Sequence, residues 1–214
     1  MNRVDGTDGR AARAARTRAK VVTAATQLFV ERGYTATTIE GVAAAAGVAV
    51  QTVYYAFGNK HTLLAAVLDA SIAGDLEPVP MLERPWVSAL RRERDAPTAV
   101  GTVVRETVRI VARATPVYEV IRRASADPDV GALLERNRQA RRVGQRGLLR
   151  ILADGGHIAP DIDFDTAADV YYALLNEEVF QLLVNVCGWH EERVVRWATA
   201  LMVEQLTGHA GTGG

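Results

Sequence analysis

The sequence predicts an all-α protein. Alanine is abundant, the prolines fall mostly at the edges of segments, and apolar residues recur at the three- and four-residue spacing of amphipathic helices. No alternating run of apolar and polar residues is long enough to predict a strand. With 214 residues, 49% of them hydrophobic and 23% charged, the chain can build one or two domains with a buried core.

The first predicted helix covers residues 10–32. Val22, Ala25 and Phe29 fall on one face of it, and Gly33 is expected to end it, because glycine readily adopts the conformation that closes a helix. Residues 1–9 are polar and are expected to form a disordered tail.

Two short helices follow around a glycine. Thr37, placed three residues before Glu40, has the form of a capping box and predicts a helix start there. This helix is expected to close at Gly47, and a second short helix is expected over residues 49–56, with Val53 and Phe57 facing inward. A longer helix followed by two short ones joined by a tight turn is typical of a helix-turn-helix.

The rest of the chain is also predicted to be helical, with a proline-rich break at residues 77–85. The predicted division is a helix-turn-helix domain over residues 10–62, a second helical domain over 63–207 and a flexible end over 208–214. Pro116 and Pro128 are expected in first helical turns, where a missing N–H does no harm. The later helices are predicted near residues 60–75, 86–94, 98–114, 116–125, 128–153, 165–187 and 191–207.

The charges are unevenly distributed along the chain. The formal net charge is zero, but residues 1–60 carry eight basic and four acidic side chains, whereas residues 154–192 carry nine acids and no Lys or Arg. A net charge of zero excludes a protein whose whole surface is basic and binds nucleic acid. A basic head on an acidic body indicates that only the head meets an anionic partner.

The composition also bears on the cellular compartment. The single cysteine, Cys187, excludes an intrachain disulfide and favours a reducing compartment. No secretory signal is visible, and the longest apolar-rich run, residues 170–187, contains Glu177 and Glu178, which are costly in lipid. We therefore expect a cytoplasmic protein without a membrane partner.

The second short helix has a polar side that suits DNA. Its exposed side is predicted to combine Val50 with Tyr54 and Gln51 with Tyr55, and a helix fits the major groove, about 12 Å wide. Nearby side chains include the donor types that hold phosphates: Thr37, Thr38, Thr52, Tyr54, Tyr55 and Lys60. The alternative from pattern alone is a small helical subdomain with an incidental polar face.

The same residues carry a family resemblance. The stretches GYTATTIEGVA (33–43), AGV (46–48), TVYYAFGNK (52–60) and LL (63–64) resemble the N-terminal domain of the tetracycline-repressor (TetR) family. The resemblance implies that Val50, Gln51 and Tyr54 lie nearest the base edges, and that Thr38, Thr52, Tyr55 and Lys60 contact phosphates. Ala56 differs from the His or Tyr that many relatives carry.

A homodimer is the expected assembly. Small residues at Ala140, Gly144 and Gly147 form a stripe on one helix, which Leu148 and Ile151 continue, and small residues allow close approach of two helices. The helix over 165–187 is apolar on most sides and must be buried on two of them. The expected interface includes Leu175, Val179 and Leu182, because the family pairs its two late helices and a palindromic site requires a two-fold partner. The alternative is the central helix of a monomer.

A pocket for an unidentified small-molecule effector is implied only by the resemblance. Its candidate lining is Trp86, Arg105, Arg109, Tyr118 and Arg122, which would suit an anionic ligand. The alternative for the arginines is an ordinary solvated helix face, since Arg105, Arg109 and Arg113 recur every four residues.

Enzyme chemistry finds little support in the sequence. His157 with Asp161, Asp163 and Asp165 could suggest a metal site, but carboxylates near a helix N-terminus explain this cluster better. No phosphate-binding glycine loop, paired metal-ligand motif or nucleophile motif is present. We expect no catalytic residues, no metal and no cofactor.

The combined prediction is a one-component, DNA-binding transcriptional regulator: a repressor that a small molecule releases from a palindromic operator. Two alternatives of the same class are an activator and a regulator that responds to a protein partner. An alternative of another class is a helical enzyme with an incidental helix-turn-helix. The basic residues Arg10, Arg13, Arg16, Arg18 and Lys20 are expected to add contacts to phosphates that do not depend on base sequence.

Overall fold

The computed structural model describes residues 5–208, with side chains from residue 9 onward. This part of the chain contains helices and no strand, which confirms the all-α prediction. In addition to a 3₁₀ turn at Met81–Glu83 and a π-helical turn at Leu182–Val186, the helices are α1 Asp5–Ala36, α2 Ile39–Ala46, α3 Val50–Phe57, α4 Lys60–Ala73, α5 Pro85–Leu90, α6 Ala96–Arg123, α7 Pro128–Asp154, α8 Phe164–Leu174, α9 Glu177–Gln181 and α10 Glu191–Thr207.

The contacts divide the chain into two compact units. The first consists of the described residues up to Leu76 together with Pro116–Glu135, and the second of Glu77–Thr115 with the described residues from Arg136 onward. The domain boundaries expected from the sequence stay predictions. Of the predicted tails, residues 1–4 and 209–214 lie outside the described residues.

The first helix is longer than predicted. It begins at Asp5 rather than at residue 10, so residues 5–9 of the predicted tail are helical. Once a helix is nucleated, each added residue gains a hydrogen bond, so it can extend beyond its apolar stripe. Gly33 does interrupt it as predicted, because its φ of 79° and ψ of 172° are not helical.

The first unit is a small bundle. Helix α1 packs on α2 and α4, and α3 packs on α2 and α4. Phe29 of α1, Val42 of α2 and Val53 of α3 are all completely buried. Burial of these side chains stabilises helices that are too short to be stable in isolation.

The core of the second unit is formed by α5, α6, α7, α8 and α10. Leu149, Tyr171 and Met202 are fully buried there. The Tyr171 hydroxyl lies 2.6 Å from the Thr107 hydroxyl, which satisfies both groups inside an apolar core. Burial raises the pKa of Tyr171, and the hydrogen bond to Thr107 only partly offsets that effect.

Helix α6 is continuous through Pro116, where the sequence predicted a break. A proline inside a helix costs about 3 kcal/mol or more. The apolar side chains on either side of it, Ala114 and Val117, are buried, and burial along the whole helix outweighs that cost.

The single helix predicted over residues 165–187 is wrong. Helix α8 stops at Leu174, Asn176 caps the new helix α9 by accepting a hydrogen bond from the Val179 amide at 2.7 Å, and a π-helical turn follows. The break places Glu177 in the interior, where its carboxylate pairs with Arg141 of α7. Hydrophobic periodicity could not reveal this break in the helix, because the break depends on Arg141, the partner of Glu177, which is 36 residues away.

The Arg141–Glu177 ion pair provides a test of this break. Glu177→Gln leaves the guanidinium of Arg141 without a counter-charge in a site where only 14% of the Arg141 side chain is exposed. We expect the free energy of unfolding to fall by about 3 kcal/mol, since a buried charge that loses its partner is strongly destabilising. Urea denaturation at one fixed protein concentration measures the change.

Asp169→Asn is the matched control, because it removes the carboxylate from an exposed pair, Arg142–Asp169, that joins the next residue of α7 to α8. Exposed pairs contribute little, so this variant should be close to the wild type. Equal, small losses in both variants would contradict a structural role for the buried pair.

Candidate nucleic-acid interface

The exposed side of α3 is defined by the residues that anchor its other side. Val53 is completely buried and Phe57 is 4% exposed, so these two fix the orientation of the helix. Gln51, Tyr54 and Tyr55 are exposed as predicted, and Tyr55 is 96% exposed. An unpartnered tyrosine side chain at that level of exposure indicates a surface available for contact.

Val50 and Thr52 are only half-buried, so they can lie at the edge of this surface.

The turn before α3 explains the position of this helix. Gly47 adopts a left-handed conformation with φ 66°, and the Val48 amide donates to the Ala43 carbonyl at 3.0 Å. This backbone conformation favours glycine, as the sequence predicted.

The N-terminus of α2 presents a hydroxyl beside α3 in the same bundle. Thr38 is exposed, and its Oγ1 accepts a hydrogen bond from the Gly41 amide at 3.0 Å. Thr38 is therefore the N-cap. The capping role predicted for Thr37 belongs to the next residue. The positive end of a helix macrodipole at this point favours an anion.

Thr37 is not part of the exposed surface. It is 2% exposed, and its hydroxyl lies 2.8 Å from the Gly33 carbonyl oxygen and 3.1 Å from that of Leu28. The hydroxyl has one proton, which these two carbonyl oxygens share at the end of α1, where the helix breaks. The predicted phosphate contact of Thr37 is thus replaced by an internal one.

Lys60, at the start of α4, has an internal partner as well. Its Nζ donates to the Tyr34 carbonyl at 3.0 Å and lies 4.3 Å from the centroid of the Tyr34 ring. Tyr34 in turn stacks on Phe29, with 6.0 Å between ring centroids. Burial raises the pKa of the Tyr34 hydroxyl, and the carboxylates of Asp127 and Asp129 raise it further. Tyr34 therefore packs between helices.

The predicted dimer residues fall into two groups in the second unit. Leu148, Ile151 and Leu175 are buried in the core of the protomer, so they are not free to meet a partner. Gly147 is also internal, because a Cβ there would lie 2.8 Å from Cδ1 of Leu82. The residues left toward the outside are Ala140, Gly144, Val179 and Leu182.

Two exposed valines extend this outer group. Val143 is 72% exposed and Val186 is 75% exposed, close in sequence to Gly144 and to the 53% exposed Leu182. Val143 lies three residues after Ala140, a spacing that could have identified it. Val186 could not be assigned to a surface without knowledge of the π-helical turn that carries it.

The five predicted effector residues do not form one site within either unit. Trp86, Arg105 and Arg109 belong to the second unit, and Tyr118 and Arg122 to the first. Trp86 packs against the core, Tyr118 is buried, and Arg105 is exposed. Arg109 pairs with Glu106 at 2.7 Å, which agrees with the solvated-face alternative for Arg109, and Arg122 pairs with Glu119.

A small apolar cleft, with an accessible volume of about 10 Å³, lies elsewhere in the second unit. One wall is the break between α8 and α9, where Leu175 and Asn176 lie. Its polar groups are few, since Asn176 is the one amide in the lining. The lining residues are Val108, Val111, Leu174, Leu175, Asn176, Val179, Phe180 and Val194.

In the described part of the chain, no group of three His, Cys, Asp or Glu side chains is placed to hold a metal ion. Asp163 instead caps α8 by accepting a hydrogen bond from the Thr166 amide at 2.9 Å. No helix among the described residues combines the length and apolarity needed to span a bilayer.

A profile of the family described as "Bacterial regulatory proteins, tetR family" matches residues 21–67, the segment that forms the helix-turn-helix. The chain thus carries the DNA-binding domain of this family over residues 21–67. It is therefore a DNA-binding transcriptional regulator rather than an enzyme, and the resemblance seen in the sequence is confirmed.

Several transcriptional regulators are similar over most of the chain. The HTH-type transcriptional repressor BepR of Brucella suis is 26% identical over 202 residues, which cover 86% of this chain and 90% of BepR. Two solved structures share the fold. NalD, the secondary repressor of the MexAB-OprM multidrug efflux pump in Pseudomonas aeruginosa, has a TM-score of 0.63 and 21% identity, covering 91% of this chain and 98% of its own. FadR from Bacillus subtilis, in complex with stearoyl-CoA, has a TM-score of 0.67 and 18% identity, covering 88% and 98%.

The contact between Lys60 and Tyr34 can be tested without DNA. Lys60→Met removes the cation above the Tyr34 ring and the donor to its carbonyl. We expect the free energy of unfolding to fall by about 1 kcal/mol. Thermal and urea unfolding at fixed protein concentration measure it. Lys20→Met, which replaces the exposed lysine of α1, is the control. Equal stability of the two variants would show that Lys60 has no structural role.

Proposed function

We propose that the protein is a dimeric repressor that a small molecule releases from a palindromic operator. The observation that carries the proposal is the exposed polar and aromatic side of α3, with Gln51, Tyr54 and Tyr55 opposite a buried anchor. A helix presented in this way can enter the major groove and place side chains against base edges. Val50 and Thr52 would contact DNA from the edge of the same helix. In this proposal the protein acts in the cytoplasm, where it reaches its operator.

The phosphate contacts in this proposal come from the ends of helices. Thr38 and the N-terminus of α2 would hold one phosphate, and Tyr55 would reach another. Lys60 would hold a phosphate if its ammonium group left the Tyr34 carbonyl. If the side chain stays bound to Tyr34, its charge would still raise the positive potential of this surface. Thr37 has no part in it, because its hydroxyl is buried.

The homodimer is supported by exposed apolar side chains on α7 and on the π-helical turn. Val143, Leu182 and Val186 are each more than half exposed in the protomer. Large apolar side chains grouped on a surface are typical of an interface. A two-fold dimer would pair each recognition helix with its copy on a palindromic site.

Effector binding is proposed for the apolar cleft beside the break between α8 and α9. Its aliphatic lining suits an apolar molecule, in contrast to the anionic ligand suggested by the arginines. The cleft, at about 10 Å³, is far smaller than ligand pockets, which are usually about 300–1,000 Å³. A ligand would therefore have to displace the segment at Leu175–Asn176, and its preference for the opened state would shift the protein away from the DNA-binding state. The repressor BepR and the stearoyl-CoA complex of FadR support this type of regulation by similarity.

DNA recognition is tested by selecting bound sequences from random duplex DNA. We expect a palindromic consensus. Gln51→Ala should relax base preference at one position in each half-site, at a cost of ~1–3 kcal/mol if the amide makes a bidentate contact. Gln27→Ala, which removes an exposed glutamine of α1, is the matched control and should select the same consensus. Selection of no consensus by the folded wild-type protein would contradict the proposed function.

Dimer formation is tested by Gly144→Arg. A Cβ at Gly144 meets no atom within 4 Å, so the protomer can accept a side chain there. In a dimer built on this face, two arginines would oppose each other across the two-fold axis. We expect monomers in sedimentation velocity, with loss of operator binding although the helix-turn-helix is unchanged.

Ala132→Arg is the control for the added charge, because Ala132 is an exposed position on the same helix, about 18 Å along its axis from Gly144. This variant should sediment like the wild type. A wild-type protein that is monomeric at micromolar concentration would exclude the proposed assembly.

A further inference from the structure

The basic side chain of Arg18 contacts the end of α3 rather than lying free in solvent. Its Nη1 donates to the Ala56 carbonyl at 3.3 Å, and its Cζ lies 4.4 Å from the centroid of the Phe57 ring. Arg18 is on α1, and 38 residues separate it from Ala56. The sequence grouped Arg18 with the basic residues expected to contact phosphates. The contacts assign it a different partner.

Helix α3 needs such a contact. It has eight residues, and no side chain caps its N-terminus at Ala49. Helices of this length are not stable on their own, so their ends fray unless tertiary contacts fix them. At the C-terminus the Gly58 amide donates to the Tyr54 carbonyl at 2.8 Å, and the Ala56 carbonyl is left to the guanidinium of Arg18.

The charge of Arg18 suits this position in two ways. The C-terminal end of a helix carries a partial negative charge, which a guanidinium stabilises. The same guanidinium lies above the ring of Phe57, whose face is electron-rich. Its charge also acts on Asp69 of α4, where it lowers a carboxylate pKa that burial raises more strongly. The charge of Arg18 is thus already shared among groups of the protein.

We propose that Arg18 is a positioning residue that fixes the last turn of α3 and thereby the direction of Tyr54 and Tyr55. These two tyrosines directly precede Ala56, whose carbonyl Arg18 binds. A fixed direction matters for base contacts, which need precise geometry, more than for phosphate contacts, which are electrostatic and tolerant. Arg18 therefore contributes to sequence selectivity without touching DNA. This inference rests on the proposed DNA-binding function.

The first test compares Arg18→Gln with Arg16→Gln in the full chain. Arg16 is an exposed arginine on the same helix, so both variants lose one positive charge. The probes are the consensus duplex selected by the wild-type protein and a scrambled duplex of equal length and composition. Affinity for each is measured over several salt concentrations.

Arg18→Gln should reduce the ratio of specific to nonspecific affinity by roughly fivefold to tenfold, the loss expected for one hydrogen bond and one cation–π contact. The salt slope should stay at the wild-type value, because no phosphate contact is removed. Arg16→Gln should leave the ratio unchanged. Arg18→Lys keeps a cation above Phe57 and a donor for the Ala56 carbonyl, so it should recover part of the selectivity.

Two outcomes would overturn the assignment. One is an Arg18→Gln variant that loses affinity equally on both duplexes with a salt slope lower by about one unit, which is the behaviour of a phosphate contact. The other is an Arg18→Gln variant that cannot be distinguished from Arg16→Gln.

The second test needs no DNA and separates this inference from the proposed function. Amide hydrogen exchange in the free protein should be faster at Gly58 in Arg18→Gln, because that amide closes the last turn of α3. Exchange at Val42, whose amide donates to the Thr38 carbonyl in α2, should not change. Unchanged exchange at Gly58 would overturn the role of Arg18. Failure of the wild-type protein to select any duplex would instead overturn the proposed function, while the exchange result would still decide whether Arg18 fixes α3.

Discussion

The burial of one side of α3 is the constraint on which the DNA-binding unit depends. Val53 and Phe57 are four residues apart, and both lie in the core formed with α1, α2 and α4. Their burial leaves Gln51, Tyr54 and Tyr55 no direction but outward. An eight-residue helix cannot hold such an orientation by its own hydrogen bonds, so the exposed surface of α3 is a product of the core beneath it.

The polar groups around α3 divide into those that face solvent and those that support the helices. Thr38 is exposed at the N-terminus of α2, whereas its neighbour Thr37 is buried against the end of α1. Lys60 binds the carbonyl of Tyr34, and Arg18 binds that of Ala56. Two of the basic side chains in a basic head therefore satisfy carbonyl oxygens of the protein itself. The positive potential of this unit remains, but fewer of its cationic side chains are available to contact DNA phosphates than a count of charges suggests.

The second unit shows the same use of charge. The acidic stretch over residues 154–192 is matched by arginines of α7: Arg142 pairs with Asp169, Arg146 with Asp165 and Arg141 with the buried Glu177. The break at Leu175–Asn176 that brings Glu177 inward also forms a wall of the apolar cleft. One irregularity in the backbone thus links a buried ion pair, the small apolar cleft and the π-helical turn that exposes Leu182 and Val186.

The sequence by itself determined the features that depend on local pattern. Helical periodicity, the break at Gly33, the tight turn at Gly47 and the anchors Val53 and Phe57 all follow from neighbours within a few residues, and they were predicted. The family and the regulatory function followed from the same local motif. The effect of proline in α6 was predicted wrongly, since burial along the helix outweighed a local preference.

Only the tertiary structure decided which residues of each predicted face are free. Leu148, Ile151 and Leu175 are among the residues expected at a dimer interface, yet they are buried in the protomer, and Gly147 is in contact range of Leu82. The partners of Thr37, Lys60, Arg18 and Glu177 are likewise set by segments that meet only when the chain is folded. Spacing along a helix fixes which side chains share a face, but packing between helices fixes what that face meets, and such long-range contacts leave no periodic signal in the sequence.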